Sequence, residues 1–229
     1  MIKNTVDKFE GFSQETSDFL WDLAFNNERP WFLEHKEQFE RVLNRPFKAL
    51  AQETYDLTCA KNPDKPLLLH VARIYRDARR LHGRGPYKDH LWFSIKADDK
   101  LLDGPMFWFE LGAADYSMGM GFYSATSAQM EEFRRGIDAN PAAFERMAKK
   151  LDRLKGFSVS GEEYKRPKGQ YDGVIGKWYN RKRPGMDCTR DFGEELFSPE
   201  LPKILADYFT ALMPMYDYLS AVAGRGKET

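Results

Sequence analysis

Between residues 67 and 124 the chain carries four short segments that can be little other than strands: "LLLHVARIY" (67–75), "LWFSIKA" (91–97), "PMFWFELG" (105–112) and "YSMGMGFYS" (116–124). Each is apolar or alternating and rich in aromatic residues, the pattern of a strand with one face buried. The last three are separated only by "ADDKLLDG" and "AAD". A parallel crossover takes a dozen or more residues, so these connections force antiparallel return. The expected core is therefore an antiparallel meander that needs a helical layer on its apolar face. In the fourth segment Met118, Met120 and Phe122 share one side, and Ser117, Gly119, Gly121 and Tyr123 the other. The two glycines mark a close approach to the backbone, by a helix, a bulge or a ligand.

Helices flank this block. Ser13 is placed to cap a helix with Phe19, Leu20 and Leu23 on one face, and Pro30 and Pro46 suit first turns of two more. After the strands, Ser127 and Asn140-Pro141 are start signals for two helices. Ser198-Pro199 opens a long final helix with Leu201, Leu205, Leu212 and Leu219 on its stripe, expected to kink at Pro214. Residues 156–197 read as irregular, with strands expected at 157–160 and near 177–180. The expectation is α+β: a mainly antiparallel central sheet (residues ~67–124) flanked by N-terminal helices and a long C-terminal helix. It forms a single domain over 1–222, with 223–229 frayed.

Two cysteines far apart in 229 residues, Cys59 and Cys188, argue for a reducing compartment and against a disulfide framework. With no signal-peptide core and no apolar run long enough for a bilayer, a soluble cytoplasmic protein without a membrane partner is expected. His35, His70, His82 and His90 make no metal-ligand spacing, "HGRGPYK" is not a phosphate-binding loop, and neither metal nor cofactor is expected.

Charge is the functional signal. The chain holds 35 Lys and Arg against 35 Asp and Glu, yet residues 73–90 and 164–185 contain 13 of those cations and three of the acids. Two glycine- and proline-punctuated segments thus carry about ten excess positive charges, and if they meet they form one cationic face. Arginine forks suit carboxylate or phosphate. In a regular strand Arg73, Tyr75, Asp77 and Arg79 face one way and Ile74 and Arg76 the other, so the strand is expected to end near Tyr75. Residues 76–88 would then fold as a loop across the sheet edge.

The stretch "RIYRDAR…GPYK" resembles the motif of DUF2461, a family of bacterial and fungal proteins without an established function. "FSQETSDFLWDLAFNNERPWFLEHKEQFE", "GEEYKRPKGQYD" and "FSPELPKILADYFTALMPMYDYL" are similar to its other segments. The resemblance puts the motif on Arg73, Arg76, Asp77, Arg79 and Tyr87. Arg80 stands where the family has Phe, Gly83 where it has Asp or Asn, and Arg84 where it has Lys. The pattern "NNxxxWFxxHK" adds Asn27 and His35 as second-line candidates.

The leading expectation is a pocket for a small phosphate- or carboxylate-bearing ligand, clamped by Arg73, Arg76, Arg79, Lys88, Lys165 and Arg166. Asp77 would orient an arginine or act as general base, and Tyr87 would donate a hydrogen bond. The alternatives are a nucleic-acid groove on the same basic face, with its interleaved tyrosines and tryptophan, and an interaction module that meets an acidic partner. Asp77 paired only to its own arginines would instead make the cluster a structural ion-pair network.

Overall fold

A computed structural model describes residues 8–77, 79, 83–97 and 104–225. Its sheet is antiparallel throughout, in the order β1-β2-β3-β4-β6-β5. The strands are β1 (Leu68–Val71), β2 (Leu91–Lys96), β3 (Pro105–Leu111), β4 (Asp115–Phe122), β5 (Ser158–Ser160) and β6 (Gly185–Asp191). The meander is present and β5 lies where a strand was expected. Residues 177–180 are not a strand: α7 (Gly173–Tyr179) occupies that stretch and buries Trp178 and Tyr179. The strand that completes the sheet is β6, "GMDCTRD", whose Met186 and Cys188 are buried while Asp187 and Thr189 point the other way.

Period-two alternation sorts the sheet into two faces. On one, the cross-strand rows Leu91–Leu111–Tyr116, Phe93–Phe109–Met118–Cys188 and Ile95–Phe107–Met120–Met186 are all buried. Two helices cover that face, α4 (Arg45–Lys61) and α9 (Leu201–Arg225). Phe47 of α4 packs on Phe93 and Phe109 at 5.9 and 6.1 Å between ring centroids, and Phe209 and Tyr216 of α9 pack on Phe107 at 5.1 and 4.6 Å. The chain end is tied in by polar bonds: the Tyr116 hydroxyl donates to Glu195 (2.8 Å), which ion-pairs with Arg190, itself donating to the Tyr208 hydroxyl (2.9 Å).

The remaining helices start where local chemistry dictates. Ser13 is the N-cap of α1 (Gln14–Phe25). The chain from Pro30 forms α2 (Arg29–Glu34), α3 (Lys36–Phe39) and one π-helical turn (Glu40–Asn44) before α4. Pro46 has no N–H to offer the Val42 carbonyl one turn back. The buried Thr16 hydroxyl donates to it instead, at 2.8 Å. Thr126, one residue earlier than the expected cap, starts α5 (Ser127–Ala139) in a reciprocal box with Gln129. Asn140 caps α6 (Pro141–Leu151) by accepting from the Ala143 N–H (3.1 Å). α9 runs through an exposed Pro214 to Arg225 with Val222 and Ala223 buried; of the tail expected to fray, 226–229 lie outside the described residues. Among the described residues no helix is long and apolar enough to cross a membrane.

The second face of the sheet is different in kind. It carries His70, Trp92, Ser94, Lys96, Met106, Trp108, Glu110, Ser117, Asp187 and Thr189. Among the described residues, Trp92, Met106 and Trp108 are half-buried and stand outside the hydrophobic core cluster. What closes on Gly119 is the neighbouring strand: a Cβ there would lie 2.6 Å from the Met186 carbonyl oxygen and 2.7 Å from the Asp187 Cβ.

Candidate functional site

The basic stretch joins β1 to β2. β1 stops at Val71, earlier than the expected Tyr75, but pairing resumes beyond it. The Ala72 N–H donates to the Trp92 carbonyl (2.9 Å), Arg76 to Pro86 (2.8 Å) and Lys88 to Ile74 (2.7 Å), with an isolated bridge between Tyr75 and Tyr87. Residues 72–77 and 83–90 are therefore an irregular extension of the β1–β2 hairpin, where a loop folded across the edge was expected for 76–88. Residues 78 and 80–82, among them Arg80 and His82, lie outside the described residues.

The N-terminal helices hold the returning arm of this extension. Asn27, just after α1, accepts from the Tyr87 N–H (2.9 Å) through Oδ1 and donates Nδ2–H to the Tyr87 carbonyl (3.0 Å). Gly85 makes room for that clamp, because a Cβ would collide with Asn27 Oδ1 and sit 2.5 Å from its carbonyl oxygen. The Tyr87 ring, 3% exposed, stacks on Phe32 at 4.1 Å and lies 5.3 Å from Tyr75. Burial and the neighbouring Tyr75 push its phenol up, against a downward pull from Arg29. Its ring is core and anchors the loop. His35 is likewise structural, stacked on Trp31 at 4.1 Å with Nδ1 bonded to the Trp31 carbonyl (2.8 Å).

The cations divide into two kinds. Arg76, its side chain 15% exposed, donates Nε–H to the Tyr87 carbonyl (2.7 Å) and pairs with Asp89 (3.1 Å). It laces the two arms together. Arg79 grips Asp77 with Nε–H to Oδ1 (3.1 Å) and Nη2–H to Oδ2 (2.9 Å). Their side chains are 88% and 38% exposed, so water screens the pair and it holds little of the fold. Arg73 and Lys88 meet no carboxylate among the described residues. Lys88 is half-buried, and its ammonium donates to the Arg73 carbonyl (2.6 Å). Burial first, then Arg76 and Arg73, hold that ammonium below the usual lysine range. His70, on β1, is pulled down by burial and by Lys96, Lys88 and Arg73. His70 thus feels Lys96 from farther along β2 and Lys88 and Arg73 from the hairpin end.

This hairpin carries every residue on which the motif resemblance rested. A family model described as "Conserved hypothetical protein (DUF2461)" matches residues 15–218 of the 229. The chain belongs to the DUF2461 family. No curated protein matches it. Within this DUF2461 protein the motif positions do different work: Arg76 and Tyr87 fix the hairpin, Asp77 engages Arg79, and Arg73, which meets no carboxylate among the described residues, accepts through its carbonyl from Lys88.

Lys165 and Arg166 are not part of the corner. Their segment links β5 to β6 and leaves the sheet where Gly185, Gly121 and Met106 align. The hairpin leaves where Leu91, Leu111 and Tyr116 align, at the other end of the strands and on the opposite edge. Three strand spacings and about five residues of strand separate the two exits, about 14 Å across and 17 Å along the sheet. The expected meeting of the two basic segments is therefore corrected. In the second one Lys177 pairs with Asp152 (3.0 Å), Arg181 with Glu163 (3.0 Å) and Lys182 with Glu162. Tyr171 and Tyr179 donate to Asp138 of α5, each at 3.0 Å. Lys168 lies 4.9 Å over the ring of Tyr164. Among the described residues three of that segment's seven cations thus have a carboxylate close by, which lowers the repulsion within it. A further cationic cleft lies near the N-terminus, lined by Lys8, Glu10, Arg41 and Arg45, where Arg41 pairs with Glu15 (2.7 Å).

Proposed function

We propose that this DUF2461 protein binds a small phosphate- or carboxylate-bearing ligand at the hairpin corner. Arg73 and Lys88 are the primary contacts, with His70 and Arg79 beside them and Arg76 holding the frame. The observation that carries the reading is that Lys88 is half-buried beside Arg76 and Arg73 and, among the described residues, pairs with no carboxylate. Holding like charges together costs free energy that an anion would offset. Asp77 acts in this reading by orienting Arg79, and Tyr87 by anchoring the backbone. A long nucleic-acid groove loses its support once the two basic segments are apart. The free cysteines, Cys59 and Cys188, fit a reducing compartment, and we place the protein in the cytoplasm.

Titration calorimetry at low ionic strength with inorganic phosphate and with succinate tests this. Binding should weaken as salt rises, Lys88→Met should lose about tenfold or more, as removal of a charge-assisted contact implies, and Lys165→Met should bind like the parent. Equal binding by the parent and Lys88→Met, or no heat with either anion, defeats the proposal.

A further inference from the structure

β1 is an outermost strand of the sheet, and its free edge ends at the hairpin corner. The Ala72 N–H donates to the Trp92 carbonyl, and the register continues as His70 opposite Ser94 and Leu68 opposite Lys96. In an antiparallel ladder the hydrogen-bonded pairs recur at every second residue. Leu68, His70 and Ala72 therefore turn their backbone groups toward β2, whereas Leu69 and Val71 turn theirs outward in the plane of the sheet. Among the described residues nothing bonds to those outward groups. β2 lies beside β1, α4 packs against it, and the side chains of Leu69 and Val71 rest on the core. Leu68 and His70 point to the other side and are exposed. The backbone edge between them stays open.

That edge runs into positive charge. The next residue in the outward phase is Arg73, and the Lys88 ammonium sits on its carbonyl at 2.6 Å. Neither Arg73 nor Lys88 meets a carboxylate among the described residues. An unpaired edge is a template for another strand, and charge at its end selects which strand adds. We propose that the ligand of this corner is an extended acidic peptide that adds to β1 as a further strand, its backbone on Leu69 and Val71 and its carboxylate on Arg73 and Lys88. This rests on the anion-binding reading and names what carries the carboxylate. The sheet is antiparallel throughout, so the peptide runs opposite to β1. Its acidic residue then comes two places before the one that pairs with Val71, level with Arg73. Val71 and Arg73 are about 7 Å apart along the strand, a distance the peptide covers with its own backbone. A second copy of β1 is the poorer occupant, because "LLLHVAR" (67–73) has no acid to set against Arg73 and Lys88. Main-chain bonds give an added strand its affinity, and side chains its specificity.

The test compares, by calorimetry, the capped pentapeptide Asp-Thr-Val-Thr-Val, the same peptide N-methylated at its first valine, and succinate. The methyl group removes the N–H that donates to the Val71 carbonyl and leaves every charge in place. The pentapeptide should bind at least about tenfold tighter than succinate, since main-chain bonds add to the ion pair, and N-methylation should erase that advantage. Lys88→Met should weaken the pentapeptide and succinate alike. Val71→Pro removes an outward donor without touching a bond to β2, as edge strands tolerate. It should bind succinate normally and the pentapeptide no better. Thermal melting checks its fold, and should it melt early the N-methylated peptide carries the test alone. If the two peptides bind equally, the added strand is wrong while the anion site stands on succinate. If neither peptide nor succinate binds, both readings fall. Dimerisation that Val71→Pro abolishes, without peptide binding, gives the edge to a second copy and also overturns the proposal.

Discussion

Lys88 and His70 report on each other across the hairpin. His70 is held below its ordinary value of 6.5 by burial and by Lys96, Lys88 and Arg73. A depressed folded pKa means the fold prefers neutral imidazole, so this contribution to stability is complete above about pH 6.5 and is lost as the pH falls through the folded value. Lys88→Met removes one of the repelling charges and should move the His70 pKa up toward 6.5, read by NMR titration of the imidazole. Phosphate added to the parent should move it the same way. An unmoved His70 in both experiments would show that Lys88 and the anion lie elsewhere. Asp77 belongs to another category. Its pairing with Arg79 is largely in solvent, so the large stability loss expected of a broken buried ion pair does not apply to it.

At the scale of elements, the hairpin's shape depends on the turn after α1. Asn27 and Gly85 act as a unit: the amide fills the space that the missing Cβ leaves. Asn27→Ala deletes two partly buried hydrogen bonds and should cost about 1–3 kcal/mol in chemical denaturation. Gly85→Ala should cost a similar amount, and the double variant less than the sum, since the side-chain part of the clash disappears with the amide. Full additivity would mean that the two do not share a contact. Much of the sheet could be read from the chain, because Leu91, Phe93 and Ile95 alternate cleanly with Trp92, Ser94 and Lys96, and β3 and β4 do the same. β6 could not: Asp187, Thr189, Arg190 and Asp191 drown the two inward residues in polar ones. The stretch 177–180 misled for the converse reason, since a buried Trp178 and Tyr179 suit a helix face as well as a strand. For the site, charge clustering pointed to Arg73 and Lys88. His70 stayed hidden, because what brings it near Lys88 and Arg73 is the cross-strand pairing of β1 and β2, which the irregular hairpin sets.

Over the whole molecule, net neutrality conceals two basic regions at diagonal corners of one sheet with different fates. In the β5–β6 region Lys177, Arg181 and Lys182 pair with Asp152, Glu163 and Glu162, whereas among the described residues Arg73 and Lys88 of the hairpin meet no carboxylate and Lys88 is half-buried beside Arg76 and Arg73. The central claim, that the hairpin corner is where an anion binds, is therefore a claim about place. Mapping backbone amide shifts by two-dimensional NMR during a phosphate titration tests place directly. The account predicts that the saturating shifts gather at residues 70–76 and 87–92, with 164–168 unchanged. Shifts centred on Lys165 and Arg166, or on the cleft of Lys8, Arg41 and Arg45, would contradict it.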